Sequence, residues 1–407
     1  MKQLLREPDF RRIWLAGAMT GALRWLELLV VGVYVLDQTG SPSIVAAMTV
    51  ARLAPMFLLG LPLGVLADRY ERRSLLLLLF CTLMLASLAL GVLAMTGRIT
   101  LWQIAIGAFL NGILFTADFP LRRTMIGEVA GRDRLRLGMG LETATSTAVR
   151  ALGPALGGLM LQTVGLASTY FLGAALYLAS VVLLLRVRHR SIGRSGEAAG
   201  SISIMLSEGW RYVCAQRLIL GVLVVTLVLN FWGFAYITMV PVIGEQILGL
   251  NAFPIGLLMS VEGLGGLLAT LVAVRLFEPA AYTRIYYFSS LVFLLGVLGF
   301  GLSASFPLSL ALNLVCGFSL AGFAVMQTTI IFLIAPPEMR SRMMGVLTVC
   351  IGAGPLGMLH LGWLADWLGA ATAVQVIALE GLGALALTAL IWPELCRATD
   401  LSSDRAK

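Results

Sequence analysis

About twelve apolar stretches follow one another along the 407 residues, and each is close to the length that crosses a lipid bilayer. A membrane-spanning α-helix needs roughly 20 predominantly apolar residues. The stretches cover 12–36, 43–67, 74–96, 101–121, 138–163, 167–187, 217–241, 253–276, 284–303, 307–333, 343–366 and 371–392. Hydrophobic residues make up 59% of the chain and charged residues only 12%, which exceeds what a soluble chain of this size places in its core. The pattern predicts an all-α membrane protein with twelve transmembrane helices.

Positive charge is confined to alternate connections between these stretches. Arginine and lysine occur before the first stretch, after every even-numbered stretch and at the C-terminus, whereas Arg98 stands alone in an opposite-side connection. Because basic residues in short loops stay on the cytoplasmic side, both termini are predicted to be cytoplasmic. The net charge of +8 therefore reflects topology. The basic residues are dispersed and have no aromatic platform between them, which argues against nucleic-acid binding.

The sequence contains no pattern that indicates a cofactor, a metal ion or a nucleotide. Its five cysteines have no CxxC or Cys/His spacing, and a GxxxxGK(S/T) phosphate-binding loop does not occur. We therefore expect no cofactor and no enzyme activity. A transmembrane gradient remains as the energy source, since one proton moving across 100 mV yields about 2.3 kcal/mol.

One long polar connection divides the apolar stretches into two groups of six. We predict an N-terminal six-helix bundle over 1–187, a cytoplasmic linker over 188–215, and a C-terminal six-helix bundle with a short cytoplasmic tail over 216–407. A Gly-Pro pair opens an apolar, glycine-rich run inside the fifth stretch at Gly153 and inside the eleventh at Gly354. These equivalent places favour a duplicated unit, an arrangement in which two bundles rock about a central site.

The second stretch leaves the membrane through the sequence GVLADRYERR at 64–73. Gly64 allows close helix approach, Asp68 supplies an anion at the bilayer edge, and the arginines anchor the loop in water. This run resembles the G-x-L-A-D-R-x-x-R-R signature of the major facilitator superfamily, which implies two pseudo-symmetric six-helix bundles.

The same resemblance implies a conformational latch, in which Asp68 helps to hold the two halves together on the cytoplasmic side. Its predicted acceptors are arginines ahead of the eleventh helix, together with the positive N-terminal dipole of that helix. The predicted latch residues are Gly64, Asp68, Arg69, Arg72, Arg73, Arg340 and Arg342.

Three further segments are similar to the enterobactin-exporter and macrolide-efflux branch of this superfamily. They are DFPLR at 118–122, RALGPALGG at 150–158 and PEMRSR at 337–342. The middle segment resembles the antiporter motif of drug exporters, in which small residues bring the fifth and eighth helices together, although Val149 replaces one expected glycine. The residues that match this motif are Gly153, Pro154, Gly157 and Gly158.

Charged residues inside the apolar stretches carry the remaining information. Each costs roughly 2.5–3.5 kcal/mol near a helix centre, so such residues usually have a function. Glu27 and Asp118 are the first candidates for proton coupling, followed by Glu262. Arg24 and Glu27 are three residues apart and share a helix face, so a structural ion pair is the alternative interpretation for them, as it is for Glu380 in the twelfth stretch.

In the family that the chain resembles, the first, fourth, seventh and tenth helices line the substrate cavity. The candidate cavity residues are Arg24, Tyr34, Asn111, Phe115, Arg150, Asn230, Trp232, Tyr236 and Gln327. The two arginines suit an anionic substrate and the three candidate carboxylates suit a cation, so the sequence leaves the charge of the substrate open.

These observations together predict a secondary active transporter of the bacterial inner membrane. The expected activity is proton-coupled export of a siderophore or an amphipathic drug by alternating access, with the small molecule, protons and the bilayer as partners and a monomer as the active form. A lysophospholipid or other lipid flippase of the same fold is the alternative. A membrane receptor or scaffold is a third possibility, against which charges deep in several helices argue.

Overall fold

The computed structural model describes residues 2–189, 210–213, 216–276 and 281–397. Most of the predicted linker and the end of the C-terminal tail lie outside the described residues. The side chains of Asp68 and Arg69 and the surroundings of Gly64 also lie outside the described part. The centre of the predicted latch is therefore not placed.

Six long helices occupy the first half of the chain. Proline begins the first two of them, where its missing N–H costs no helical hydrogen bond. The helices are α1 (Pro8–Thr39), α2 (Pro42–Arg69), α3 (Arg72–Met95), α4 (101–130), α5 (132–164) and α6 (166–185), of which the last three lie within the run Leu101–Leu185. Gly131 and Gly165 interrupt that run with φ angles of 70° and 78°. Glycine has no Cβ and adopts positive φ at no steric cost, so the chain turns at these two points.

Six further helices occupy the second half. They are α7 (Arg217–Gln246), α8 (Ala252–Leu276), α9 (Tyr282–Leu302), α10 (Phe306–Ile334), α11 in two segments (Pro337–Ile351 and Gly354–Leu368) and α12 (Ala370–Ile391). Short helices at Lys2–Arg6 and Pro393–Cys396 flank the two sets.

Eleven helical elements among the described residues are long and apolar enough to cross a membrane, with α5 and α6 forming one 49-residue element, Leu137–Leu185. The turn at Gly165 divides this element, so the described helices are consistent with twelve spans. The predicted all-α membrane fold class is confirmed. The predicted boundaries differ most at α4, which continues to residue 130 and not to 121; α1 begins at Pro8 and not at 12, and α7 continues to Gln246 and not to 241.

The helix α7 is irregular in its middle. It is α-helical over Arg217–Val228, π-helical over Leu229–Gly233 and a 3-10 helix over Phe234–Met239. Pro241 lies two residues after this segment. Proline has no backbone N–H, and its ring clashes with the carbonyl four residues earlier in a regular helix. A regular α-helix therefore cannot continue through this segment. Short π-helical turns inside membrane helices are often found at functional sites.

The chain divides into two compact units. The first contains residues 1–196 together with 249–260, and the second contains 197–248 and 261–407. In the first unit, buried side chains of α1, α3, α4 and α6 form the core, in which the rings of Phe80 and Tyr177 lie 6.4 Å apart. In the second unit, the buried ring of Tyr236 packs edge-on against Phe293 and Phe300, each at 5.9 Å.

Candidate functional site

The carboxylate of Glu27 lies in the interior of the first unit, where the residue is only 8% exposed. Asn111 on α4 donates a hydrogen bond from Nδ2 to Glu27 Oε2, and it also donates to the hydroxyl of Tyr177 at 3.3 Å. Arg52 on α2 donates from Nη2 to Asn111 Oδ1 at 3.2 Å and to the carbonyl oxygen of Arg24 at 2.7 Å. The residues Glu27, Arg52, Asn111 and Tyr177, here called the Glu27 cluster, thus join α1, α2, α4 and α6.

Close helix packing brings this cluster together. A side chain at Gly112 would overlap the carbonyl group of Arg52, so α2 and α4 touch at this point because glycine stands there. On α6, a methyl group at Gly173 would lie 3.6 Å from Glu27 Oε1 and 3.5 Å from the hydroxyl of Ser87 on α3. Five helices of the first unit therefore surround the Glu27 carboxylate.

A small cavity adjoins the cluster. Its volume is about 20 Å³, and its lining includes Glu27, Arg52, Ser87, Asn111 and Tyr170 besides apolar side chains of α1 to α4. A cavity of roughly 10–15 Å³ or more admits a water molecule when polar partners are present. The carboxylate consequently has room for a water beside it, which is what proton exchange at a buried group requires.

A second buried charge cluster lies between α4 and α5. Arg122, which is 4% exposed, contacts Glu142 Oε1 from Nη1 at 2.5 Å and Asp118 Oδ2 from Nη2 at 3.2 Å. A methyl group at Gly17 on α1 would overlap the guanidinium, which therefore lies directly against the backbone of α1. These residues, Asp118, Arg122 and Glu142, are called the Arg122 cluster below.

The sequence prediction placed Arg122 in a cytoplasmic loop after a stretch ending at 121, and this prediction is wrong. The helix α4 continues to residue 130, and Arg122 is buried within it. Asp118 and Arg122 are four residues apart, which places both side chains on one face of a helix. This spacing was the sequence signal that the helix continues through Arg122. Arg52 and Glu142 lie within the predicted second and fifth stretches, but sequence reasoning assigned no role to either of them, and it missed the polar role of Tyr177.

Arg24 and Glu27 form no ion pair among the described residues. Glu27 bonds to α4 through Asn111, whereas the guanidinium of Arg24 lies over the ring of Phe115, 4.5 Å from its centroid. Arg24 Nε is buried and has no hydrogen-bond partner in the described part of the chain. Arg150 on α5 lies over the ring of Trp25 at 5.1 Å.

The glycines of the antiporter-like segment lie at close helix contacts of the first unit. A methyl group at Gly153 would lie 2.7 Å from Trp25 Cβ, and one at Gly157 would lie 2.7 Å from the carbonyl oxygen of Leu26, so α5 packs tightly on α1. One at Gly158 would overlap the carbonyl of Ala252 in the 249–260 segment of the same unit. Pro154 stands between these contacts, inside α5.

The remaining candidates of the second half mostly bond within their own unit. Gln327 donates from Nε2 to Thr226 Oγ1 at 2.5 Å, Asn230 donates to the Thr226 carbonyl at 2.9 Å, and Tyr236 donates to Asn313 Oδ1 at 3.1 Å. All of these side chains are buried.

Three further candidates have these surroundings. Glu262 is buried on α8, where the backbone touches α10 at Gly317. Tyr34 packs against an apolar cluster of α1, α3 and α6 in the first unit. Trp232 bonds to Glu380 on α12.

The described arginines of the predicted latch contact groups of their own unit. Arg72 bonds to Glu128 Oε1 at 2.8 Å, and Arg73 donates to the carbonyls of Leu184 and Leu185 at the end of α6. Two others precede the membrane part of α11: Arg340 donates to the Ala335 carbonyl at 3.3 Å, and Arg342 contacts Met339 Sδ at 3.2 Å. Because the side chain of Asp68 lies outside the described residues, the latch stays a prediction.

Comparison with known proteins relates the chain to membrane exporters. It is 22% identical over 372 residues to the staphyloferrin A transporter of Staphylococcus aureus, with 90% of this chain and 91% of that protein covered. It is 27% identical to the multidrug efflux pump Tap of Mycolicibacterium fortuitum, with coverage of 96% and 97%. It is 24% identical to the enterobactin exporter EntS of Shigella boydii serotype 4, with coverage of 87% and 86%.

Solved structures agree in fold. The nucleoside transporter NupG superposes with a TM-score of 0.70 at 13% identity, covering 94% of this chain and 99% of that one. A bacterial homologue of the human lysosomal transporter Spinster superposes with a TM-score of 0.69 at 15% identity, covering 96% of both chains. At these identities the likeness establishes the fold alone.

A family model described as transmembrane secretion effector matches residues 3–405, nearly the whole chain. The sequence resemblance to the major facilitator superfamily is thereby confirmed, and the chain is a multi-pass membrane transporter. The chain belongs to the transmembrane secretion effector family of the major facilitator superfamily.

Proposed function

We propose that this transporter is a proton-coupled exporter and that Glu27 carries the proton. The observation that supports the proposal best is the Glu27 cluster, in which one buried carboxylate is tied through Asn111 to a buried arginine and to three other helices. A small cavity gives the carboxylate room for a water molecule.

The charges of the first unit indicate how a proton would act there. Arg52 and Arg122 are buried and Arg24 is half-buried, and the buried carboxylates of the same unit are Glu27, Asp118 and Glu142. Charges in a low-dielectric interior interact strongly, so neutralising one of them disturbs the others. Protonation of Glu27 would remove a negative charge next to Arg52 and weaken the attraction of Arg52 towards α1. The proton would thereby alter the contacts that hold α1, α2, α4 and α6 in one arrangement.

Asp118 is the second candidate for the proton, because it shares Arg122 with Glu142. Two carboxylates on one guanidinium leave one negative charge uncompensated within the Arg122 cluster. Glu262 is third, since it belongs to the second unit, whereas both clusters belong to the first.

For the substrate, we propose a siderophore or an amphipathic drug. By their names, the relatives reported above are a staphyloferrin A transporter, a multidrug efflux pump and an enterobactin exporter, and the chain covers 86–97% of their lengths. The alternative of a lipid flippase gains no support from those relatives. We further propose the bacterial inner membrane as the location, a monomer as the active form and cytoplasmic positions for both termini, since the basic residues lie in alternate connections.

Inverted membrane vesicles with an acidic lumen test the proposal. A catecholate siderophore, a macrolide, lipophilic cations and a lysolipid are added one at a time, and a pH-sensitive dye reports proton release from the lumen. We expect release with one compound class, and loss of that release in Glu27→Gln at equal protein abundance. The control is Glu394→Gln, because Glu394 lies outside the membrane-spanning helices, in Pro393–Cys396, and pairs with Arg217 at the first residue of α7.

Full proton release in Glu27→Gln would contradict the role of Glu27. If Asp118→Asn alone abolishes release, the proton site moves to the Arg122 cluster. Lysolipid movement without proton release would favour the lipid flippase.

A further inference from the structure

Glu380 lies near the middle of α12, and the proposed proton site does not involve it. Its side chain is 40% exposed, although it belongs to a membrane-spanning helix. Its Oε2 atom accepts a hydrogen bond from Trp232 Nε1 on α7 at 2.8 Å and contacts His360 Nε2 on α11 at 3.1 Å. All three residues belong to the second unit, and they are called the Glu380 site below.

Two glycines allow the three helices to meet at this point. A side chain at Gly357 on α11 would overlap the carbonyl of Phe231, and a methyl group at Gly381 on α12 would lie 2.9 Å from Trp232 Cβ. Both contacts are made with the π-helical turn of α7 over Leu229–Gly233. The site is therefore built around the irregular part of α7.

The surroundings of the carboxylate are apolar and aromatic. The ring of Phe231 lies 4.8 Å from that of Trp232 and 5.8 Å from that of His360. The large apolar side chains exposed on α11 and α12 include those of Leu356, Trp363, Leu379 and Leu387. Exposed leucine and tryptophan side chains on spanning helices form a surface that can contact the lipid hydrocarbon. The Glu380 site therefore faces an apolar surface formed by α11 and α12.

A structural ion pair does not account for this arrangement. The Arg122 cluster shows what such a pair looks like in this chain, with side chains at most 9% exposed and several bonds to the cation. Glu380 instead is half-exposed, and its Oε1 atom has no hydrogen-bond partner among the described residues. Keeping a partly free carboxylate at this depth of a spanning helix costs free energy unless it finds a counter-charge.

We propose that Glu380, His360 and Trp232 form a binding site for lipophilic organic cations that reach it through the bilayer. The carboxylate supplies the counter-charge, which acts strongly in a low-dielectric setting. The aromatic rings of Phe231 and Trp232 supply π-faces, which attract cations. Because the site carries no fixed positive charge, an anion has no partner there. A metal ion is not favoured either, since the described residues contain no group of three metal-ligating side chains.

Equilibrium binding of tetraphenylphosphonium to the purified full-length protein in lipid nanodiscs tests this inference, which does not depend on proton coupling at Glu27. Tetraphenylborate is the control ligand, because it has nearly the same size and shape but the opposite charge. We expect the cation to bind and the anion not to bind. Glu380→Gln keeps an oxygen that accepts from Trp232 and removes the charge, so the affinity should fall by about tenfold or more.

Two matched variants make the result decisive. Glu380→Asp keeps the charge, so its affinity should lie closer to that of the wild type than to that of Glu380→Gln. Glu27→Gln should bind the cation as the wild type does, because Glu27 lies in the other unit. Thermal unfolding of each variant checks that the protein is folded.

Three results would each overturn the inference. The first is that Glu380→Gln binds the cation with the affinity of the wild type, and the second is that the wild type binds tetraphenylborate as well as tetraphenylphosphonium. The third is that Glu380→Asp binds the cation no more tightly than Glu380→Gln does. Loss of binding in Glu27→Gln but not in Glu380→Gln would assign the cation to the Glu27 cluster. That outcome would reject the Glu380 site and leave the proposed proton role of Glu27 open to its own test.

Discussion

Arg122 illustrates how a single buried charge depends on its neighbours. Its guanidinium contacts carboxylates on α4 and α5 and also lies against the backbone of α1 at Gly17. A charged side chain in an apolar interior is tolerated only when it is paired and hydrogen-bonded. The absence of a side chain at Gly17 is what gives the guanidinium its space.

We expect Gly17→Ala to destabilise the protein by about 1–3 kcal/mol, because the added methyl group would push Arg122 away from Glu142 in a tightly packed interior. The midpoint of thermal unfolding in detergent measures the effect. Gly383→Ala on α12 is the control, since a methyl group there meets nothing within 4 Å. Equal midpoints for the two variants would show that the interior adapts to the methyl group.

Asn111 shows the limit of a residue-by-residue reading. The sequence identified it as a polar side chain in a cavity-lining helix, but either end of its amide could have faced any neighbour. In the structure the oxygen accepts from Arg52 and the nitrogen donates to Glu27 and Tyr177. These partners lie 59 to 84 residues away in the sequence, so no local pattern connects them.

At the scale of the helix, two glycines mark the boundaries between α4, α5 and α6. The sequence predicted separate fourth, fifth and sixth helices, and the structure joins them end to end with turns at Gly131 and Gly165. At Gly165 the φ and ψ angles are 78° and 177°, a region that residues with a Cβ atom avoid.

Gly165→Ala should therefore cost about 1–3 kcal/mol of stability, although a methyl group there meets no other atom within 4 Å. The penalty arises from the backbone and not from packing. Gly140→Ala on α5 is the matched control, because that position is helical and open, and alanine favours a helix over glycine by about 1 kcal/mol. The midpoint of thermal unfolding in detergent should fall for Gly165→Ala and not for Gly140→Ala. A lower midpoint for Gly140→Ala than for Gly165→Ala would contradict the backbone argument.

The middle of α7 was not predicted. The sequence indicated one continuous helix over 217–241, because apolar composition is the same for an α-helix, a π-helix and a 3-10 helix. Pro241 was the only local sign of irregularity. The packing of Gly357 and Gly381 against Phe231 and Trp232 shows which neighbours accompany the irregular turn.

For the whole molecule, the distribution of arginine predicts the orientation in the membrane. Only Arg98 lies between α3 and α4, whereas Arg69, Arg72 and Arg73 lie at the facing ends of α2 and α3. On a cysteine-free background, Thr96→Cys should react with a membrane-impermeant maleimide in intact cells, and Ser74→Cys should react only after permeabilisation. Both positions are exposed, so the reagent reaches each from its own side. The opposite labelling pattern would invert the predicted topology.

The sequence by itself determined the fold class, the approximate spans and the family. These properties follow from local composition, because a stretch of about 20 apolar residues lowers its free energy in the bilayer whatever its neighbours are. Signature runs such as 64–73 are equally local.

Only the tertiary structure decided which buried charges meet. The partners of Glu27, the enclosure of Arg122 and the meeting of Glu380 with His360 and Trp232 depend on how each helix is rotated and how closely it packs. Close approach at Gly112 and Gly357 fixes those rotations. Sequence spacing within one helix predicts which side chains share a face, but not which neighbouring helix that face meets.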